Sequence, residues 1–227
     1  MSFTPTIDGQ LLHFEFRGLF NGVSLLWDRE TGSYWHHVTG KALDGPMKGR
    51  QLPMYNLLMV TAEQALEGDP DLMVAISDRE IRKESRWSPL TDRVGMLSDR
   101  LRRTIRGEDP RRPEMDIGLG VWTSDAQSYY PMEVVNEKGG FVFDRMDGRG
   151  VLIYIEPTSN TVAALYTEAT GARWNGTVLR MNNGRFVRAG GLFDGDTELP
   201  AERPMQVFTR WYGFALTFPE TEVYGAN

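Results

Sequence analysis

The sequence predicts a mainly β protein, a β-rich α+β fold with short helices. Runs of alternating or β-branched apolar residues recur along the chain, which is typical of half-buried strands. Turn signals such as Asp147-Gly148 separate these runs, whereas helical signals are few. With 227 residues, the chain is long enough to bury one sizeable core or two small ones without covalent cross-links.

The first strands are predicted close to the N-terminus. In the stretch QLLHFEF, Leu12, Phe14 and Phe16 alternate with polar residues, so we expect these three side chains on one buried face. The stretches VSLLW and SYWHHV predict two more strands, joined by a turn in which Gly32 can adopt a positive φ. The same pattern places Trp35 on a buried face.

Later signals predict one hairpin and two short helices. The stretch FVFDRMDGRGVLIYI predicts two strands around Asp147-Gly148, a strong hairpin dipeptide. In TAEQALEGD, Thr61 and Gln64 fit a capping box at the start of a helix. The stretch from Val94 to Ile105 has the pattern of a short amphipathic helix.

An internal repeat divides the chain into two unequal lobes. DGPMKGRQLP, from Asp44, is echoed by DGDTELP, from Asp194, and the segment starting at Thr61 is echoed by the segment starting at Thr209. A rival match pairs residues 139 positions apart, so the alignment of this degenerate repeat stays open. We expect a first lobe over 1–78, a basic connector over 79–115 and a second lobe over 116–227.

Composition excludes several classes of function. The chain has no cysteine, which removes disulfides, thiolate metal sites and cysteine nucleophiles. Its net charge of −6 argues against a nucleic-acid partner, because such proteins usually carry a basic face. From Arg79 to Pro113, eleven Lys or Arg stand against six Asp or Glu. We interpret this segment as a solvated connector, with a polyanion-binding arm as the alternative.

The chain carries no targeting signal as written. No apolar run approaches the roughly 20 residues that a membrane helix needs, so we expect no membrane partner. The opening MSFTPTIDG has neither a basic start nor an apolar stretch. We therefore expect a cytoplasmic protein, with a longer exported precursor left open.

The stretch GLFNGVSLLWDRETGSYWHHVTGKALDGPMKGRQL resembles the hallmark segment of the domain-of-unknown-function 3179 family. The segment from Asp116 to Asp144 is similar to the family's opening segment, with Tyr130 and Pro131 at its Tyr-Pro. The positions that match the hallmark are Asp28, Glu30, Thr31, Gly32, Ser33, Trp35, Gly45, Pro46, Gly49 and Leu52.

The resemblance implies a β-rich fold and no specific activity. In the family, the opening segment and a Cys-Pro-x-x-Cys-like stretch precede the hallmark segment, so we expect the N-terminal part of the first repeat to be missing here. In the second lobe, YIEPTSNTVAAL stands where that stretch would fall and carries Glu156 and Ser159 instead of cysteines. We expect QLLHFEF and VSLLW to add onto strands of the second lobe and form one continuous core, or else two chains to pair across the sheet edge left open.

Four residues near the first turn are candidates for acid–base chemistry. Asp28 and Glu30 could converge on a substrate as paired carboxylates; alternatively, Asp28 caps the turn and Glu30 is solvated. His36 and His37 are adjacent in a predicted strand, so they leave opposite faces and at most one serves a site. We expect His37, which shares a face with Trp35, to be the core or pocket histidine.

The candidates for ligand binding are Thr31, Ser33, Trp35 and Tyr130. Aromatic side chains could form a stacking platform, although such residues also build cores. With only three histidines and no phosphate-loop lysine, we expect no metal and no cofactor.

The sequence therefore predicts a ligand-binding or structural module for an unknown small ligand or a protein partner. The alternative is an enzyme with hydrolase-like acid–base chemistry that uses Asp28, Glu30 and either His36 or His37. Whether the protein is a monomer or a homodimer stays open.

Overall fold

The structure is a computed structural model that describes residues 2–73 and 99–225, and it is mainly β, as the sequence predicts. Most strands are short and form several small sheets. In chain order the strands are β1 (Ser2–Phe3), β2 (Thr6–Ile7), β3 (Gln10–Leu11), β4 (Phe14–Phe20), β5 (Val23–Asp28), β6 (Tyr34–His36), β7 (Ala42–Asp44), β8 (Met54–Tyr55), β9 (Ile117–Trp122), β10 (Gln127–Pro131), β11 (Phe141–Met146), β12 (Arg149–Glu156), β13 (Thr161–Tyr166), β14 (Ala172–Asn175), β15 (Val178–Met181), β16 (Phe186–Arg188), β17 (Gly191–Asp194), β18 (Thr197–Leu199), β19 (Met205–Arg210) and β20 (Glu222–Val223).

The helices are short. They are α1 (Ala62–Gly68), α2 (Asp99–Arg102), α3 (Met132–Glu137) and α4 (Trp211–Ala215). The predicted capping box is confirmed, because the Thr61 side chain accepts from the Gln64 backbone and the Gln64 side chain accepts from the Thr61 backbone. The helix predicted from Val94 to Ile105 lies partly outside the described residues, as does most of the predicted basic connector.

Three sheets of the C-terminal half form consecutive layers. The middle layer is the antiparallel sheet β11-β12-β13, which buries both faces. One face packs against β9, β10 and α3, and the other packs against the meander β14-β15-β16-β17-β18. The predicted hairpin is confirmed: Asp147 and Gly148, both with positive φ, join β11 to β12.

The fourth layer lies on the outer face of β9 and β10. Trp122, Tyr129, Trp211 and Phe214 pack there in one buried cluster. The ring of Phe214 lies so close to Gly120 that an added Cβ would meet it at 2.1 Å, so any larger residue at position 120 would displace the ring. For Trp122, Tyr129 and Trp211 the sequence left a stacking platform and a core position open, and the structure places all three in the core.

The N-terminal half has a smaller core of its own. The antiparallel sheet β4-β5-β6-β7 covers a buried cluster in which Trp35 is fully inaccessible, as predicted. Among the described strands, none of this sheet pairs with a strand of the C-terminal half. Side chains make the connection instead, because Val38 is part of the cluster around Trp211.

Two expectations about this sheet are wrong. Phe16 does not share the buried face with Leu12, since its side chain is 63% exposed. Phe16 is paired in register with Leu26, before the register shift at Gly18, but β4 is an edge strand, so no strand in the described part of the chain covers its other side. His37 is exposed whereas His36 is buried. The strand β6 ends at His36, so His37 belongs to the following turn and strand alternation does not apply to it.

Candidate functional site

The predicted candidates cluster at the hairpin turn between β5 and β6. Asp28 ends β5 with its side chain fully buried. Its Oδ1 accepts a hydrogen bond from the Thr31 backbone at 2.6 Å, and its Oδ2 accepts from the Thr31 hydroxyl at 2.8 Å and from the Ser33 backbone at 3.2 Å. The indole Nε1 of Trp35 also donates to Oδ2, at 2.7 Å. Asp28 therefore caps the turn from inside the core.

These donors decide the charge state of Asp28. Burial raises the pKa of its carboxyl, but the hydrogen bonds from Trp35, Thr31 and Ser33 together outweigh burial and leave the pKa below its usual value. Each donor stabilises the ionised form, since all of them point a hydrogen at the carboxylate. Asp28 is thus an ionised group with its acceptor positions in use.

Glu30 does not join Asp28. Its Oε2 accepts from the His13 backbone at 2.8 Å, and its Oε1 lies 2.6 Å from the His13 Nδ1. These contacts hold the pKa of Glu30 below its usual value, the His13 backbone hydrogen bond contributing most. The two carboxylates thus have separate partners.

The two histidines differ in environment. His36 is buried, and its Nδ1 accepts from the Val38 and Thr39 backbones at 3.2 and 3.3 Å. Burial, with a smaller contribution from the charge of His37, lowers the pKa of His36 to about 4. At neutral pH His36 is therefore an uncharged hydrogen-bond acceptor.

The candidate ligand residues are turned inward. Ser33 and Trp35 are fully buried, and the Thr31 hydroxyl lies 2.7 Å from the Ser33 hydroxyl. Tyr130 is also fully buried, about a hundred residues further along the chain, and its hydroxyl donates to Asp144 Oδ2 at 3.0 Å. Burial and the nearby Asp144 raise the pKa of Tyr130. The structure brings Thr31, Ser33 and Trp35 together with Asp28, but not Tyr130.

A second buried acid ends strand β12. Glu156 is only 4% exposed, and its Oε2 accepts from the Thr158 and Ser159 backbones at 3.0 and 2.5 Å. The Ser159 hydroxyl lies 2.9 Å from that of Thr161, which donates to the Met59 carbonyl at 3.1 Å. Among the residues that the structure describes, nothing donates to the Glu156 Oε1.

Glu156 lines a cavity of about 210 Å³ at the edge of β13. The extended segment Leu57–Val60 forms one wall, and the sheets form the others. Most of the lining is apolar, including Tyr154, Ala163 and Phe208. The Gln206 side chain, also in the lining, is bonded to both the N–H and the carbonyl of Ala164. The acceptor in the lining that has no donor among the described residues is therefore the Oε1 of Glu156.

This cavity was not a candidate in the sequence. In the sequence, Glu156 and Ser159 stand out only because they occupy positions where the family resemblance suggests cysteines. The available signal was a shared spacing: an acid, a hydroxyl three residues later and another hydroxyl five residues later occur at Asp28–Ser33 and at Glu156–Thr161. That spacing marks the turn, but it carries no information about the walls of the cavity.

Two other classes of site receive no support in the described part of the chain. No group of three or more histidine, aspartate or glutamate side chains within residues 2–73 and 99–225 could hold a metal ion. The helices of those residues are too short or too polar to span a membrane.

Comparison with known proteins identifies a family. A family model described as a protein of unknown function, DUF3179, matches residues 1–221. No curated protein and no solved structure matches the chain.

Proposed function

The chain belongs to the DUF3179 family, and we propose that it is a ligand-binding module whose site is the cavity between Leu57–Val60 and β13. The observation that carries the proposal is a largely apolar cavity lined by one acid, Glu156, whose second oxygen is accessible to solvent and has no donor among the described residues. Small-molecule sites combine an apolar lining with a few polar groups that fix orientation. The ligand is a small, mainly apolar molecule.

The wall at Leu57–Val60 gives the ligand a way in. All four residues of the segment are exposed, Leu57 and Met59 at 55% and 58%, and Leu58 and Val60 at 37% and 39%. The segment has no strand or helix hydrogen bonds of its own, and Met59 is bonded to the sheet through the Thr161 hydroxyl. Few bonds must therefore break for this wall to move aside.

Toluene is a suitable first probe because it is small and apolar. We expect saturable changes in the amide NMR spectrum, centred on Thr161 to Ala163 and on Val207. Leu58→Trp should abolish these changes by filling the cavity. Leu66→Trp is the matched control, since Leu66 is 42% exposed and Leu58 is 37% exposed, but Leu66 lies in α1 outside the lining. Changes that do not saturate, or that survive Leu58→Trp, would count against the proposal.

We also propose that the chain is built from two lobes related by a degenerate repeat. In support, the meanders β4-β5-β6-β7 and β14-β15-β16-β17 both end at an Asp-Gly turn, at Asp44 and at Asp194. A short helix follows each of them, starting at Ala62 and at Trp211. Expression of residues 116–227 alone tests this division: a cooperatively melting fragment supports it, and an unfolded one contradicts it.

A further inference from the structure

The turns after β5 and after β12 have the same register. Asp28 lies opposite Ser33, since its backbone N–H donates to the Ser33 carbonyl at 3.1 Å, and Glu156 lies opposite Thr161. In each turn the fifth residue donates back to the carbonyl of the acid, Gly32 at 3.0 Å and Asn160 at 2.8 Å. Both fifth residues have positive φ. The two turns therefore share a strand register and the backbone hydrogen bond that returns to the acid.

The same register pairs the next inward positions of the two hairpins. Leu26 lies opposite Trp35 in the first hairpin, and Tyr154 lies opposite Ala163 in the second. Because side chains two residues apart share a strand face, Trp35 lies on the face of Ser33 and Ala163 on the face of Thr161. Ala163 is thus the counterpart of Trp35.

This one difference leaves the second hairpin open. In the first, the indole of Trp35 fills the space beside the acid and donates its N–H to Asp28 at 2.7 Å. In the second, Ala163 has no atoms beyond Cβ, and the cavity is lined by Tyr154, Glu156, Thr161 and Ala163. In the first hairpin, Trp35 donates a hydrogen bond to the acid, Asp28. In the second hairpin, the corresponding acid, Glu156, has one oxygen without a donor among the described residues.

From this we infer that the cavity binds a planar ring with an N–H donor, seated as the Trp35 indole is seated and hydrogen-bonded to Glu156. The inference rests on the proposed function and names its ligand class. Size permits it, since an apolar cavity of about 150 Å³ binds benzene and this one has about 210 Å³.

The polar chemistry also favours a ring with a donor. An acidic oxygen beside apolar walls is costly unless a donor meets it, and a purely apolar ring would exclude water without replacing its hydrogen bond. A ring N–H removes this cost while its carbon atoms contact Tyr154, Ala163 and Phe208. A donor of this kind is already paired with the same kind of acid at Trp35.

Isothermal titration calorimetry of the intact chain with indole and with benzofuran tests the inference. Benzofuran has the same shape, with an oxygen in place of the N–H. A hydrogen bond to an acidic group typically changes affinity by about tenfold to a hundredfold, so we expect indole to bind at least tenfold more tightly. Equal affinities would overturn the inference and leave the proposed function standing; binding of neither compound would overturn the inference, and the toluene titration would then decide the proposed function.

Ala163→Trp tests the location of the site. The new indole should occupy the cavity, raise the melting temperature and abolish indole binding. Ala163→Phe is the companion variant in case the larger ring does not fold, and it should also abolish binding. Leu66→Trp is the control that should bind indole as the unmodified chain does. Unchanged indole affinity in a folded Ala163 variant would show that indole binds elsewhere and would overturn the inference.

Discussion

The turns after β5 and β12 share a strand register and the backbone hydrogen bond that returns to the acid, but only the first has the space beside its acid filled. In the first, a tryptophan covers the acid, and Asp28, Thr31, Ser33 and Trp35 are hydrogen-bonded to one another. In the second, an alanine takes that place, and the acid lines a cavity. The comparison teaches that the local motif does not decide whether the space beside the acid is filled; the residue two positions after the turn, Trp35 or Ala163, does.

Removing the tryptophan should have the largest effect on this comparison. Trp35→Ala creates a cavity beside Asp28 and removes a donor, so we expect a loss of about 3–5 kcal/mol in the free energy of unfolding, measured with urea. Trp174→Ala is the control, because Trp174 is only half-buried although its Nε1 also has a partner, the Gly139 carbonyl. Equal losses for the two variants would contradict the conclusion that the Trp35 indole fills the space beside Asp28.

A double variant can make the first hairpin resemble the second. In an Ala163→Trp background, where the natural cavity is filled, Trp35→Ala opens a space beside Asp28. Indole should then bind to the first hairpin and raise the melting temperature, whereas benzofuran should raise it less. If indole has no effect on this double variant, a ring N–H beside an acid is not sufficient for binding.

Asp28→Asn tests whether the acid of the closed hairpin is ionised. At pH 7 we expect a loss of about 1.5–3 kcal/mol, because charge-assisted hydrogen bonds are replaced. The pKa of Asp28 is lowered on folding, so its contribution is present above its unfolded value of about 3.9 and is lost as the pH falls through the folded value. The difference in unfolding free energy between Asp28→Asn and the unmodified chain should therefore shrink below pH 4. A constant difference from pH 7 to pH 3 would contradict this.

His36, the residue after Trp35, makes the stability of the first hairpin depend on pH. The unfolded state binds a proton at His36 near pH 6.5, whereas burial lowers the folded pKa to about 4. Stability is therefore lost as the pH falls from about 6.5 to about 4, by roughly 2 kcal/mol at pH 5. The counterpart in the second hairpin is Ala164, which does not titrate.

Histidine ring NMR between pH 8 and pH 5 checks this directly. The His36 signals should stay those of a neutral ring throughout. His36→Asn, which keeps an acceptor for the backbone of Val38, should flatten the dependence of unfolding free energy on pH over the same range. A His36 ring that titrates near pH 6.5 would show that it is solvated.

The smallest effects concern the shared turn backbone. At Gly32, an added Cβ would have only an ordinary contact with Trp27, at 3.7 Å, so Gly32→Ala should cost about 1–2 kcal/mol through its positive φ alone. Asn160→Ala should lower the free energy of unfolding by less, because asparagine at a positive φ already carries part of the strain that alanine would have. Asn160→Gly should be nearly neutral. Urea unfolding of the three variants checks the order. Asn160→Ala costing more than Gly32→Ala would mean that the turns are not equivalent.

The sequence by itself determined the features that depend on neighbouring residues. The β class, the hairpin at Asp147-Gly148 and the capping box at Thr61 follow from alternation, positive φ and side-chain capping, which act within a few positions. The burial of Trp35 follows from the same alternation. Asp28 as the cap of its turn was one of two open alternatives, since a short acid at a strand end is suited to either role.

Only the tertiary structure decided the exposure of Phe16, the exchange of roles between His36 and His37, and the cavity at Glu156. The edge position of β4, which leaves Phe16 exposed, and a strand that ends one residue early reversed two expectations that were based on ideal alternation. The cavity needs walls from Leu57–Val60 and from β19, which reach β13 from about a hundred and about forty residues away in the chain. An empty space is a property of how distant segments meet, so no local pattern in the sequence could reveal it.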